Sequence, residues 1–261
     1  MNSIRVFFIG GYLAYRGLFN WIHWSIYVPT MLGGPLFQIL FFAYIGRYAK
    51  LRSDEFFVVG NAVQISAMGG IFGMAMTIGG ERWTQTLSSI LATPANRFAL
   101  FLGRALPNIA NGILVSAFGF LVGWLLLDFS LTPSEIPAIA LVVVVSSFAC
   151  TSFGMMIGAV GLRTRDVFFL ANLVIFVFLL FCGVNVPVDS LPGWGQAIGR
   201  VLPLTHGIDA ARQIAGGASL GHVSALVETE AAIGVFYTAF AYALFRFFES
   251  SSRRAAALET M

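Results

Sequence analysis

Long apolar runs separated by short polar breaks set the pattern of this chain. Uncharged runs cover residues 24–46, 56–80, 105–127, 136–162 and 167–188. Crossing a hydrocarbon core roughly 30 Å thick takes about 20 helical residues, and each of these runs is long enough. A sixth run, 231–245, is shorter. It reaches spanning length if Glu228 and Glu230 sit at one interface and Arg246 snorkels to the other. The pattern therefore predicts an all-α membrane protein with six transmembrane helices and both termini on one side. Before the first run, Arg5, Tyr12, Arg16, Asn20 and His23 recur along one helical face, with Phe7, Phe8, Leu13, Leu18, Phe19 and Ile22 largely on the others. Residues 1–23 read as an amphipathic helix lying in the membrane interface, anchored by Trp21 and Trp24. An internal Arg and the missing small-residue cleavage site oppose a signal peptide there.

Two interruptions do not look like simple turns. The first is Glu81-Arg82-Trp83-Thr84-Gln85-Thr86-Leu87-Ser88-Ser89-Ile90-Leu91-Ala92-Thr93-Pro94-Ala95-Asn96-Arg97. It is long enough for a short helix outside the bilayer. The second spans 183–225, where Gly183, Pro187, Pro192, Gly193, Gly195, Gly199, Pro203, Gly207, Gly216, Gly217 and Gly221 break an otherwise apolar stretch. Ile198, Val201, Leu202, Leu204 and Ile208 make it too hydrophobic for a solvated loop, and Pro192 and Pro203 forbid one continuous helix. Two short helices dipping partly back into the outer leaflet fit both facts, with any non-helical bend shielded by protein or lining a wet cavity.

Composition agrees with the pattern. The chain is 58% hydrophobic and only 10% charged, against roughly 25% charged in a soluble domain. There is too little charge to cover a water-facing surface, and a single Lys with a net charge of +3 gives no sign of nucleic-acid binding. With the N-terminus cytoplasmic, ten of the fifteen Lys and Arg fall on inside segments and five on outside ones. The positive-inside rule then puts both termini, and the stretch 81–97, in the cytoplasm. Arg47, Lys50 and Arg52 in the first outer loop run against the rule, with only Asp54 and Glu55 nearby to offset them. The tail after Arg253 and Arg254 reads as a frayed basic end near anionic lipid.

Gly69 and Gly73, Gly119 and Gly123, and Gly154 and Gly158 each put two small residues on one face of a span. Packing within the chain is the default for these pairs, with a subunit interface as the alternative. Cys150 and Cys182 lie inside apolar runs and read as small buried hydrophobes, not a disulfide or metal pair.

The chemistry missing from the spans narrows the function. The clear runs hold no Asp, Glu, Lys, Arg or His, whereas proton- or sodium-coupled carriers place such groups at mid-membrane. Only amides and hydroxyls are available, among them Asn61, Gln64, Asn108, Asn111 and Asn172. A hydrolase would need a base beside a nucleophile. His206 with Asp209 near Thr205 is the nearest approach, and a proline-broken hairpin is a poor place for it. No phosphate loop is present, so if ATP drives this protein another chain binds it.

The polar stretch and the proline-broken hairpin together resemble the type-2 exporter permeases of the ABC transporter superfamily. Glu81, Arg82, Thr86, Leu87, Ile90, Leu91, Thr93, Pro94 and Arg97 match that family's first cytoplasmic loop, while Gln85 and Ser88 stand where Gly and Glu are common. Pro187, Leu191, Pro192, Trp194, Pro203, Leu204, Thr205 and Arg212 match its outer hairpin, with His206 in place of the usual Tyr. The resemblance implies a permease domain over 24–250, a coupling helix at 81–97, a re-entrant outer hairpin at 187–214 and a cytoplasmic tail at 251–261. It also implies a second permease chain, identical or paralogous, and two separate ABC ATPase subunits that bind ATP and Mg, with no cofactor on this chain. The expected role is export of an amphipathic, drug-like or lipid-linked substrate across a bacterial inner membrane. A membrane scaffold that moves nothing and a secondary transporter are the alternatives.

Overall fold

The computed structural model describes residues 5, 7–12, 14, 28–50, 52–83, 97–161 and 166–259. Among them every regular element is a helix. A π-helical turn, Val28–Gly33, leads into α1 (Gly34–Ala49). The next rod is continuous: α2 (Asp54–Ala67), a second π turn (Met68–Phe72) and α3 (Gly73–Trp83). Then follow α4 (Arg97–Leu126), α5 (Ile136–Gly161), α6 (Val167–Phe181), α7 (Gly193–Val201), α8 (Thr205–Ala215) and α9 (Leu220–Glu259).

Local chemistry explains several of the ends. α1 stops at Lys50, which takes the left-handed conformation (φ 51°), a common way to close a helix. Arg47 in its last turn donates from Nε to Asp54 Oδ2 at 2.6 Å, so one of the three cations in this basic loop is paired with the acidic start of α2. Asp166 caps α6 by accepting from the Phe169 amide at 2.9 Å. Pro107 sits inside α4 and cannot donate to the Gly103 carbonyl. That carbonyl instead faces Gly11 of the N-terminal segment, where residues 7–12 are helical. The Arg16, Asn20, Trp21, His23 and Trp24 part of the expected interface helix lies outside the described residues.

Among the described residues, four stretches are long and apolar enough to cross a membrane: Asp54–Gly79, Ala99–Leu126, Ile136–Gly161 and Ser224–Phe248. The α2–α3 rod and α5 are the most buried and form the middle of the bundle. They meet closely because Gly70 and Gly154 oppose each other: a Cβ on Gly154 would lie 2.7 Å from the Gly70 carbonyl oxygen and the Ile71 Cα. All three small-residue pairs face elements of this same chain. Gly69 and Gly73 face Gly112 and Asn108 of α4, Gly119 and Gly123 face Ala62 and Val58 of α2, and Gly154 and Gly158 face Ile71 and Ile78. Phe101 and Phe245 stack at 5.1 Å where α4 meets α9.

One reading from the sequence is corrected. The last apolar run belongs to a helix of 40 residues, and its membrane-competent part has 25. Glu230 therefore lies inside that stretch, completely buried by protein, and not at a water-facing boundary. Backbone amides at the start of α8 satisfy its carboxylate, so its place in the sequence does not mark a water-facing end.

Candidate functional site

The proline-broken stretch folds as a tight hairpin. Pro187 precedes a 3-10 turn (Val188–Ser190), with Leu191 closing that turn and Pro192 preceding α7. Pro203 falls in the break before α8, where Leu204 adopts φ 87°, a strained value for a branched side chain. The break is tied down from several directions. The Thr205 hydroxyl donates to the Gly199 carbonyl at 2.6 Å, His206 Nε2 lies 3.1 Å from the Arg200 carbonyl, and the Cys182 thiol donates to the Pro203 carbonyl at 3.5 Å. Tyr237 of α9 donates to the Val201 carbonyl at 3.2 Å. Trp194 packs edge-on against Phe181, centroids 5.6 Å apart. Thr205 and His206 thus both hold the backbone of the turn.

Two ionisable residues hold α8. Arg212 donates to the carbonyls of Gly183 (2.7 Å), Val184 (2.8 Å) and Phe56 (3.0 Å), and its guanidinium lies 3.6 Å from the centroid of the Phe56 ring. Gly183 and Val184 follow the end of α6, where helical carbonyls lack intrahelical donors and a cation is favoured. A Cβ at Gly60 would collide with the Val184 oxygen and with Arg212 Nη2, so a glycine there makes the clasp possible. Burial pushes the Arg212 pKa down to about 10, which leaves it cationic at neutral pH. At the other end of α8, Glu230 accepts from the Leu204 amide at 2.6 Å and from the Gly207 amide at 3.2 Å. It supplies from α9 the acceptor that the start of α8 lacks, as a cap. Arg212 was among the residues expected at the hairpin. Glu230 was not, although it shares a helical face with Tyr237, seven residues on, and both reach the hairpin.

A partly buried amide chain runs from α1 to the segment that follows α6. Gln38 Nε2 donates to Asn61 Oδ1 (2.9 Å) and Gln64 Oε1 (2.8 Å), and Asn61 Nδ2 donates to Asn185 Oδ1 (2.8 Å) and to the Phe57 carbonyl (2.9 Å). Beside it opens a cleft of about 240 Å³ between α1, the α2–α3 rod, α4 and α6. Its walls are apolar, including Met31, Met68, Phe72 and Phe168, with Asn108, Asn111 and Asn172 as the polar points. Asn108 and Asn172 each also donate to the carbonyl one turn earlier, at 3.0 and 2.8 Å. Such a cleft suits a molecule with an apolar body and a few hydrogen-bonding groups.

Of the polar stretch after α3, Glu81 and Arg82 continue the helix in backbone, and Arg97 opens α4. Thr86, Leu87, Ile90, Leu91, Thr93 and Pro94 lie outside the described residues.

Residues 10–215 match the ABC-2 type transporter family, which takes in the polar stretch, the cleft and the hairpin through Arg212. Nodulation protein J of Rhizobium leguminosarum bv. trifolii is 28% identical over 224 residues, covering 78% of this chain and 79% of that protein. Nodulation protein J of Rhizobium meliloti (strain 1021) is 33% identical over 119 residues, or 46% of this chain and 42% of the relative. A probable multidrug ABC transporter permease, YbhR of Escherichia coli (strain K12), is 24% identical over 167 residues, covering 61% of this chain and 44% of its own length.

Proposed function

Because this chain belongs to the ABC-2 type transporter family, we propose that it is the membrane-spanning permease of an ATP-driven exporter. Its cargo is an amphipathic molecule, drug-like or lipid-linked, taken from the cytoplasm or the inner leaflet. ATP and Mg are handled by two separate ABC ATPase subunits, and a second permease chain, either another copy or a paralogue, completes the pathway. In this reading α1 with its π turn, the α2–α3 rod, α4, α5, α6 and α9 are the six spans. Both termini face the cytoplasm of a bacterial cell, and α7 and α8 dip into the outer leaflet.

The observation that carries the proposal is the family match over 10–215. The character of the interior supports it. The cleft offers apolar walls and amides, and the only charged residue fully buried in a described span, Glu230, has both oxygens occupied by α8. A carrier driven by an ion gradient needs an ionisable group free to load and unload. The name of one relative, a probable multidrug ABC transporter permease, fits a drug-like cargo.

Residues 81–97 act here as the coupling helix, with Leu87, Ile90 and Leu91 seated on the ATPase and Glu81, Arg82 and Arg97 at the rim. The test replaces Glu81, Arg82 and Leu87 one at a time with Ala and measures co-purification with the ATPase and ATP turnover in the complex. Loss of turnover or assembly is expected, largest for Leu87→Ala, because a buried apolar contact is harder to replace than a rim charge. Unchanged assembly and turnover in all three variants would refute the coupling role.

A further inference from the structure

Helix α8 is held at its two ends by two ionisable side chains, the buried Glu230 and the partly buried Arg212, that come from, or reach to, different parts of the bundle. Glu230 of α9 binds the amides at its start. Arg212, near its end, binds carbonyls after α6 and the Phe56 carbonyl in the first turn of α2. Between them Ile208, Ala210, Ala211 and Ile214 are each no more than 1% exposed. Sliding α8 relative to α2 or α9 would break several of these hydrogen bonds at once and leave the freed groups without water. Helix α2 in turn is the near end of an unbroken thirty-residue rod through α3. At the helical rise that rod is about 45 Å long, enough to cross the bilayer, and its far end enters the stretch 84–96.

We infer that Arg212 is the positioning residue that fastens the outer hairpin to this rod, so that a displacement of the rod's far end reaches α8 as a rigid-body movement. The inference rests on the exporter reading above, which places a moving ATPase at that far end. The chemistry of the clasp calls for Arg. Its planar fork offers donors in fixed directions to several carbonyls while its face stacks on the Phe56 ring, whereas Lys presents a single flexible point charge. Glu230 keeps the other end of α8 on α9. The hairpin is therefore steered by the rod on one side and braced by the last span on the other.

The test uses the purified complex with its ATPase and a maleimide reporter on Ala197→Cys, an exposed position of α7. The native thiols Cys150 and Cys182 are buried and contribute little background. Labelling rates are compared between nucleotide-free and vanadate-trapped complexes. The parent rate is expected to change on trapping. Arg212→Lys, and separately Gly60→Ala, should shrink that change by about fivefold or more, the lower range of ordinary coupling between sites, while the complex still hydrolyses ATP. Arg200→Lys, an exposed arginine of the same hairpin, should leave the change intact. If Arg212→Lys fails to assemble, Gly60→Ala decides, because it opens the clasp from the opposite side without altering charge. A trapping response preserved in the clasp variants, lost equally in Arg200→Lys, or absent from a parent complex that turns over ATP overturns the inference. A chain that recruits no ATPase overturns the exporter reading instead.

Discussion

Glu230 shows how far a single side chain can be from what its neighbours in sequence suggest. It lies at the edge of an apolar run, where a carboxylate ordinarily meets water, yet it is wholly buried and serves the first turn of a helix about 25 positions earlier. Removing it strands two amides away from water, at a cost of about 1–3 kcal/mol for each. Glu230→Ala should therefore lower the thermal unfolding temperature of the detergent-solubilised protein well below that of Glu230→Gln, which keeps one acceptor of the same shape. Equal unfolding temperatures for the two variants would show that the cap contributes nothing. Arg212 was visible in the sequence as part of a hairpin pattern, but its partners are backbone carbonyls, and a carbonyl's availability does not depend on residue type. No reading of side-chain identities could have named Gly183, Val184 and Phe56 as its acceptors.

At the level of elements, the helices follow from the apolar runs, and their contacts follow from glycines. Close approach of the α2–α3 rod to α5 depends on Gly70 and Gly154 facing each other. Gly154→Leu drives a side chain into the Gly70 carbonyl and the Ile71 backbone, where overpacking typically costs about 1–3 kcal/mol or more. Gly193→Ala, at the exposed start of α7 with nothing within 4 Å of the added carbon, should stay within about 0.5 kcal/mol of the parent. Denaturation of the two variants in the same detergent checks the contrast, and similar losses in both would mean that the glycine contacts do not set the packing. The two short helices of the hairpin were legible from Pro192, Pro203 and their apolar neighbours. The clasp on α8 was not, because it joins residues 56, 183, 184, 204, 212 and 230, which no local pattern connects.

For the whole molecule, the arginine distribution predicts an orientation that the helix bundle by itself leaves open. A membrane-impermeant maleimide applied to intact cells should label Asp189→Cys in the first turn of the hairpin and Thr132→Cys between α4 and α5, and should reach Ser251→Cys only after the membrane is permeabilised. The reverse pattern would invert the topology and place the coupling stretch on the wrong side for a cytoplasmic ATPase. Apolar side chains such as Phe37, Phe41, Tyr44 and Tyr48 of α1, and Phe236 and Phe240 of α9, remain exposed, as expected of surfaces facing lipid or another membrane chain.

The sequence by itself determined the helical class, four of the six apolar runs as the membrane-competent helices found among the described residues, the two interruptions, and the family carried by the residues of those interruptions. These are local properties: hydrophobic length, proline and glycine placement, and charge count. Only the tertiary structure decided that the paired glycines pack within the chain, that Gln38, Asn61, Gln64 and Asn185 form one partly buried amide chain, and that Glu230 and Arg212 hold the same short helix from opposite ends. Buried polar groups must find partners wherever the fold brings them, and in this bundle many of those partners are backbone atoms far away in sequence.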